Sequence, residues 1–215
     1  MSTPAQIAAF LAAIAITAVI THYLIRLRAS ARHRTPVATA MHAHRDDLTG
    51  LGDRAGFHAA LAVAGRPVAL ILINLDSTRA FADRFGDDTL DQLLVQTAGR
   101  LQHAASAAGG RVFRLRRDEF VVILDDRLDS AGHAVRLVKA VAERTDIHLG
   151  RHPITVTVTA CAGVTSLAPH VHADRQVALV HADRAMRAAK QAGRGSTAVF
   201  DPATMLGPAD GGEAR

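Results

Sequence analysis

The chain opens with an almost unbroken apolar run from Ala5 to Ile25 (AQIAAFLAAIAITAVITHYLI), in which Gln6, Thr17, Thr21 and His22 are the notably polar members. About 20 apolar residues in a helix cross a hydrocarbon core of ~30 Å. No Lys or Arg precedes the run, so the positive n-region of a cleaved signal peptide is lacking. A buried soluble helix is the other reading, but a helix apolar on every side with an arginine-rich exit suits lipid better. We therefore expect one transmembrane anchor over 1–25. Arg26, Arg28, Arg32, Arg34 and Arg45 follow it with no acidic residue among them. Residues 26–45 read as a basic juxtamembrane linker. The positive-inside rule puts that linker, and the body after it, on the cytoplasmic side of an inner or plasma membrane.

From Asp46 the spacing of apolar positions switches repeatedly between the helical and the strand period. Asp53 is placed to cap a helix over 54–64. Pro67–Asp76 (PVALILINLD) is a continuous apolar run, the mark of a strand buried on both faces. A short helix is expected over 77–85. Leu90, Leu93, Leu94, Ala98 and Leu101 recur at helical spacing, which predicts a helix over 88–106. After Gly109-Gly110, the segments Arg111–Leu115 and Phe120–Leu124 read as two strands joined by the charged turn Arg116-Arg117-Asp118-Glu119. A helix is expected over 129–146, an alternating strand over Ile154–Ala160, a helix over Leu179–Gln191 and a last short strand over Thr197–Phe200. This order suits an α/β sandwich with a mixed, mostly antiparallel sheet. The body is expected to run over 46–205, with a loose tail at 206–215.

Composition narrows the function. The 215 residues are 49% hydrophobic and 21% charged, which excludes a disordered or fibrous chain. A single cysteine, Cys161, excludes an internal disulfide framework. With no Trp and one Tyr, base stacking on aromatic rings is disfavoured. The net charge of +5 is accounted for by the five linker arginines, so the body is near neutral and a nucleic-acid partner is not expected. His42 with His44, and His170 with His172, are histidine pairs without a third ligand and read as solvated. Gly50, Gly52 and Gly56 have the wrong spacing for a dinucleotide loop and read as turn residues.

Four segments together resemble the GGDEF family, the diguanylate cyclases. The first is Asp47-Leu48-Thr49-Gly50-Leu51-Gly52-Asp53-Arg54 followed by Phe57, similar to the family's opening motif with Asp53 for the usual Asn. The second is Ile73-Asn74-Leu75-Asp76, leading to Arg79, Phe85-Gly86 and Asp91. The third is Arg114 to Phe120, containing the signature turn. The fourth is Ala182-Asp183-Arg184-Ala185-Met186 with Ala189-Lys190 and Gly193-Arg194. The resemblance runs from about Asp46 to Phe200. It implies a cyclase-palm fold, a homodimer, and the condensation of two GTP into cyclic di-GMP with Mg²⁺ or Mn²⁺. By the same resemblance, Asn74, Leu75 and Asp118 fall on the metal positions, and Asp118 and Glu119 on the catalytic acids. Arg79, Lys190 and Arg194 fall on the phosphate contacts, and Asp91 on a guanine contact.

The chain departs from the family at the chemistry. Asn74 stands for the first metal aspartate and offers one neutral oxygen. Arg116 and Arg117 stand for the two signature glycines, where any positive φ would cost a side chain more. Ala82 stands for a guanine-reading Asn and has no group to donate or accept. Asp76, two residues past Asn74, is a remote substitute ligand. The inhibitory-site motif that the family carries before its signature is missing, the stretch being Ala107-Ala108-Gly109-Gly110. Three readings follow: a membrane-anchored degenerate domain that senses nucleotide or binds a partner, a divergent but active cyclase, or a dimerisation domain that binds no nucleotide.

Overall fold

The computed structural model describes residues 44–65, 67–167 and 174–205. The expected anchor over 1–25, most of the 26–45 linker and the 206–215 tail lie outside these residues. Among the described residues, no helix is long and apolar enough to cross a membrane.

Helix α1 (Arg54–Ala62) starts where the sequence places its cap: the Asp53 carboxylate accepts the Gly56 amide at 2.7 Å. Strand β1 (Val68–Leu75) is buried at all eight positions. Helices α2 (Thr78–Phe85) and α3 (Asp87–Ser106) follow, separated by Gly86 at φ 89°. Asp87 and Asp88 lie in the first turn of α3, where carboxylates suit the helix dipole. Strands β2 (Arg111–Arg116) and β3 (Glu119–Asp125) form the signature hairpin. Helix α4 (Ser130–Val141) leads to β4 (Thr145–Leu149), β5 (His152–Val156) and β6 (Ala160–Leu167). Helix α5 (Asp174–Ala192), β7 (Thr197–Val199) and the short α6 (Pro202–Met205) complete the order.

The main sheet runs β2-β3-β1-β6-β7, antiparallel except for the parallel β6–β7 pair. The expected mixed, mostly antiparallel α/β architecture is thus present. Alternate side chains of β1 enter two cores. Ala69, Ile71, Ile73 and Leu75 pack with Leu90, Leu93, Leu94 and Leu101 of α3 and with Leu137 of α4. Val68, Leu70 and Leu72 pack with Phe57 of α1, Phe113 of β2 and Ala178, Ala182 and Met186 of α5. Each fully buried Leu or Ile contributes on the order of 1.5–3 kcal/mol.

Two expected elements differ from the structure. The helix expected over 129–146 stops at Val141, and the strand expected over 154–160 divides. The alternating ITVTV stretch ends in β5, the exposed arm of a separate hairpin with β4. That hairpin is held on the polar face of α3. The Gln92 amide donates to the His148 carbonyl and accepts the His148 amide, both at 2.9 Å. Gln96 reaches the Asp146 carbonyl at 2.7 Å, and Arg100 reaches the Arg144 carbonyl at 2.7 Å. Side chains four apart on α3 thus serve as a strand partner for β4, which a helical period cannot reveal. The strand beside β1 is instead β6, made of small residues (ACAGVTSL) because α5 lies directly on it. A Cβ on Gly163 would overlap the Ala182 carbonyl and the Met186 amide of α5.

Gly163→Ala is therefore expected to destabilise the fold by about 3 kcal/mol, at the upper end of overpacking costs. Urea denaturation of the two proteins measures the difference; an unchanged midpoint would show that α5 can lift from β6 without penalty.

Candidate active site

The β1–β3 register pairs Asn74 with Glu119, and the Leu75 amide donates to the Asp118 carbonyl at 3.1 Å. Backbone pairing alone thus assembles Asn74, Leu75, Asp118 and Glu119 at one end of the sheet. Arg117 and Asp118 form the tip of the hairpin, closed by the Arg116–Glu119 pair with an irregularity after Arg114. Neither arginine adopts a positive φ. Ser77, at φ 61°, is the one such non-glycine among the described residues. Loss of the signature glycines therefore leaves no left-handed strain at the turn. Both arginine side chains project outward, 67% and 59% exposed, and each finds an acid. Arg116 sits 3.5 Å from Glu119, and Arg117 reaches Asp87 on the first turn of α3 at 2.6 Å.

Asn74 is buried, and α5 supplies its partner: the Lys190 ammonium donates to Asn74 Oδ1 at 2.6 Å. Thr78, at the start of α2, donates its hydroxyl to Asp118 Oδ2 at 2.7 Å. Asp76 does not turn back toward Asn74. It accepts the Thr159 hydroxyl at 2.6 Å, the Cys161 thiol at 3.5 Å and the Gly195 amide at 3.3 Å. Its oxygens bind the end of β1 to the start of β6 and to the 193–195 loop, so it is no substitute ligand. Burial, with Asp76 close by, pushes the Cys161 thiol above its usual range.

These residues do not fit a divalent ion. Of the three expected ligands, the Asn74 amide and the Leu75 carbonyl are neutral, and Asp118 alone brings a negative charge. The oxygen of Asn74 that would be a ligand is already spent on an ammonium. A divalent ion ~4 Å from that ammonium would be repelled by on the order of 8 kcal/mol at an effective dielectric of ~20. A divalent ion at that oxygen would therefore require the ammonium to move away.

The other expected contacts surround this point unevenly. Arg79 follows Thr78 on α2, and Arg194 lies between two glycines tied to it: Gly193 O accepts the Cys161 thiol and Gly195 N donates to Asp76. Arg79, Asp91 and Arg194 are all exposed. Ala82 is packed against the α3-side core and presents no polar group.

An ion pair beneath the turn was not legible from the motifs. Arg114, with 9% of its side chain exposed, donates to Asp46 Oδ1 at 2.9 Å. Its other guanidinium nitrogens hold the carbonyls of Arg116 at 3.2 Å and Arg117 at 2.7 Å. The same Asp46 oxygen accepts the Thr49 amide at 2.9 Å and hydroxyl at 2.6 Å. Burial alone would raise the Asp46 pKa, but the bonds from Thr49 and Arg114 outweigh it and hold the carboxyl below its usual range. Asp46, rather than Asp47, is the acid that ties the opening motif to the signature hairpin.

A mixed sheet of this order, with a two-residue acidic turn laid against the end of its central strand, defines a palm of the nucleotide-cyclase class. The chain matches the family described as "Diguanylate cyclase, GGDEF domain" over residues 43–196, and it belongs to that family. It is 35% identical over 167 residues to the diguanylate cyclase TpbB of Pseudomonas aeruginosa, covering 73% of this chain and 37% of TpbB. It is 33% identical over 138 residues to MucR of the same species, a bifunctional diguanylate cyclase and cyclic di-GMP phosphodiesterase, covering 63% of this chain and 19% of MucR. The solved GGDEF domain of TpbB superposes with a TM-score of 0.62 at 30% identity, covering 74% of this chain and 95% of that domain. The chain thus spans well under two thirds of the length of these curated relatives.

Removing the Asp46 charge tests the clamp. Asp46→Asn is expected to cost about 1–3 kcal/mol near neutral pH, the range for hydrogen bonds to charged groups. Because the folded pKa is lowered, this stability is present above the unfolded value of about 4 and is lost as pH falls through the folded value. The gap between the melting temperatures of wild type and variant should therefore close on acidification. A gap that stays constant down to pH ~2 would show that the clamp does not depend on charge.

Proposed function

We propose that this chain is a degenerate GGDEF domain that binds a guanine nucleotide and signals by doing so, with little or no cyclase turnover. The observation that carries this reading is the Lys190–Asn74 bond, which puts an ammonium and a neutral amide where the resemblance implies a metal carboxylate. Condensing two GTP requires the α-phosphate charge to be neutralised and the attacking 3′-hydroxyl to be activated. Glu119, the acid that would serve the second need, is paired with Arg116. Asp118 is held by Thr78, which fixes its orientation and occupies one of its oxygens. What the site retains is binding chemistry. Arg79, Lys190 and Arg194 supply cations for phosphate, and Asp91 is a carboxylate suited to a guanine edge. Ala82 supports lower selectivity for the base, because a missing hydrogen bond to a base edge costs about 1–3 kcal/mol.

The apolar run over 1–25 and the arginines after it support a membrane anchor with this domain on the cytoplasmic face, working as a homodimer. A divergent active cyclase is the second reading, favoured by the survival of both acids, Asp118 and Glu119, at the hairpin.

The deciding assay incubates the purified protein with GTP and Mg²⁺ or Mn²⁺ and follows cyclic di-GMP. The expected result is no turnover in wild type, with product appearing in a variant carrying Asn74→Asp, Arg116→Gly and Arg117→Gly. Wild-type turnover at catalytic rates that Asp118→Ala abolishes would establish the active cyclase instead.

A further inference from the structure

We propose that the site takes a nucleoside triphosphate without a divalent ion, the Lys190 ammonium standing in for it. This rests on the reading of the β1 end as a nucleotide site. A polyphosphate needs several positive charges to leave water, and those charges must not already be cancelled by carboxylates. Lys190 meets that condition. Its ammonium donates to the neutral oxygen of Asn74. One of its three donors is spent on that amide, and no carboxylate of the described residues pairs with it. The bond also fixes where the charge sits. It anchors the flexible lysine stem at the end of β1, on the last turn of α5, where a cation suits the helix dipole.

The neighbouring acids make their contacts with other groups, Asp118 with the Thr78 hydroxyl among them. Glu119 faces Arg116, and Asp76 is committed to Thr159, Cys161 and Gly195. Two further cations flank the same strand end. Arg79 follows the Thr78 hydroxyl that grips Asp118, and Arg194 lies in the loop that Asp76 binds. Neither guanidinium is paired with a carboxylate of the described residues. An Asp at position 74 would reverse this balance in one step. It would cancel the ammonium by pairing with it, and it would create the anionic oxygen that a divalent ion requires. The Asn therefore serves a purpose beyond the loss of a ligand: it keeps Lys190 positive in its effect on the ligand while holding it in place.

The test is calorimetric titration of the full chain, kept in mild detergent, with GTP in EDTA and then in Mg²⁺ at matched ionic strength. The expected dissociation constants agree within about threefold, a difference under 1 kcal/mol. Lys190→Ala, checked by circular dichroism to be folded at the titration temperature, is expected to weaken metal-free binding by at least about tenfold, and Lys190→Arg to recover part of it. Asn74→Asp is expected to weaken binding in EDTA and to gain a dependence on added Mg²⁺. Wild-type binding seen with Mg²⁺ but absent in EDTA would overturn this inference and leave the nucleotide reading standing. Metal-free binding unchanged in Lys190→Ala would overturn it equally. Absence of binding under both conditions would overturn the nucleotide reading itself, and this inference with it.

Discussion

Strand β1 is paired on both edges, with β3 along seven positions and with β6 along eight, and both of its faces are buried. This double constraint fixes its register, because a slip of one residue would exchange the two faces of the strand. Val68, Leu70 and Leu72 would then enter the core built for Ala69, Ile71 and Ile73. Asn74 would turn from α5 toward α3, away from Lys190. The position of the site is thus a consequence of core packing, and the chemistry at the strand end is held by residues that take no part in it. The hairpin inherits the same register, since Glu119 stands beside Asn74 only while β3 keeps its pairing with β1.

Around that fixed point, charges are exchanged for one another. A catalytic metal site concentrates anionic oxygens to attract a divalent ion. Here one anion is lost at Asn74 and the others have partners: Asp76 backbone and hydroxyl donors, Asp118 Thr78, Glu119 Arg116, Asp87 Arg117. Arg116 and Arg117 bring the two charges that perform the last two of these pairings. The substitution at the signature is therefore an electrostatic change more than a steric one, because neither arginine strains the turn and both side chains leave it. Exposed pairs of this kind add little to stability, typically under about 1 kcal/mol each. Their consequence is for the field at the site, where they mask acids that a metal would otherwise see.

The parts of the fold carried by strong periodicity were legible in the sequence. PVALILINLD announced a strand buried on both faces, and the leucine spacing of α3 announced the helix that covers one of them. The site was legible as a set of residues because its motifs are contiguous: Asn74-Leu75, Arg116 to Glu119, Lys190 to Arg194. What escaped depends on partners distant in sequence. ACAGVTSL carries no alternation because Gly163 must admit the backbone of α5, so the pattern predicts a strand only as far as Ala160, where β6 begins. β4 has no strand pattern of its own, and the helix expected to 146 runs into it, because its second edge is satisfied by side chains of α3 rather than by another strand. Asp46 and Arg114 are 68 positions apart, and nothing local marks them as a pair. Asp76, two residues past Asn74 on the same strand face, offers only a remote substitute ligand by sequence. The left-handed Ser77 ends the strand pattern there, and the Asp76 oxygens meet Thr159 and Gly195 instead.

Those distant partnerships hold the geometry of the site independently of the residues at its expected metal positions. The groups that shape the end of β1 form a scaffold distinct from the groups that would do chemistry there. Asp76 joins β1 to β6 and to the 193–195 loop; Thr78 joins α2 to the hairpin through Asp118; Arg114 holds the turn carbonyls from below. Each is buried or half-buried, and removing a partner from any of them would leave a polar group without its bond, at a cost of about 1–3 kcal/mol. Asn74, Arg116 and Arg117 carry no such burden of structure. Asn keeps the volume of Asp and retains an oxygen for Lys190, and the two arginines extend into solvent. Substitution at these three positions leaves the core packing untouched, so selection for stability does not oppose it. The same argument explains why Lys190 keeps a defined position. A buried Asn74 requires a donor, and the ammonium that meets this requirement is the one the resemblance assigns to phosphate. The need to satisfy a buried amide therefore holds at the end of β1 a cation suited to phosphate.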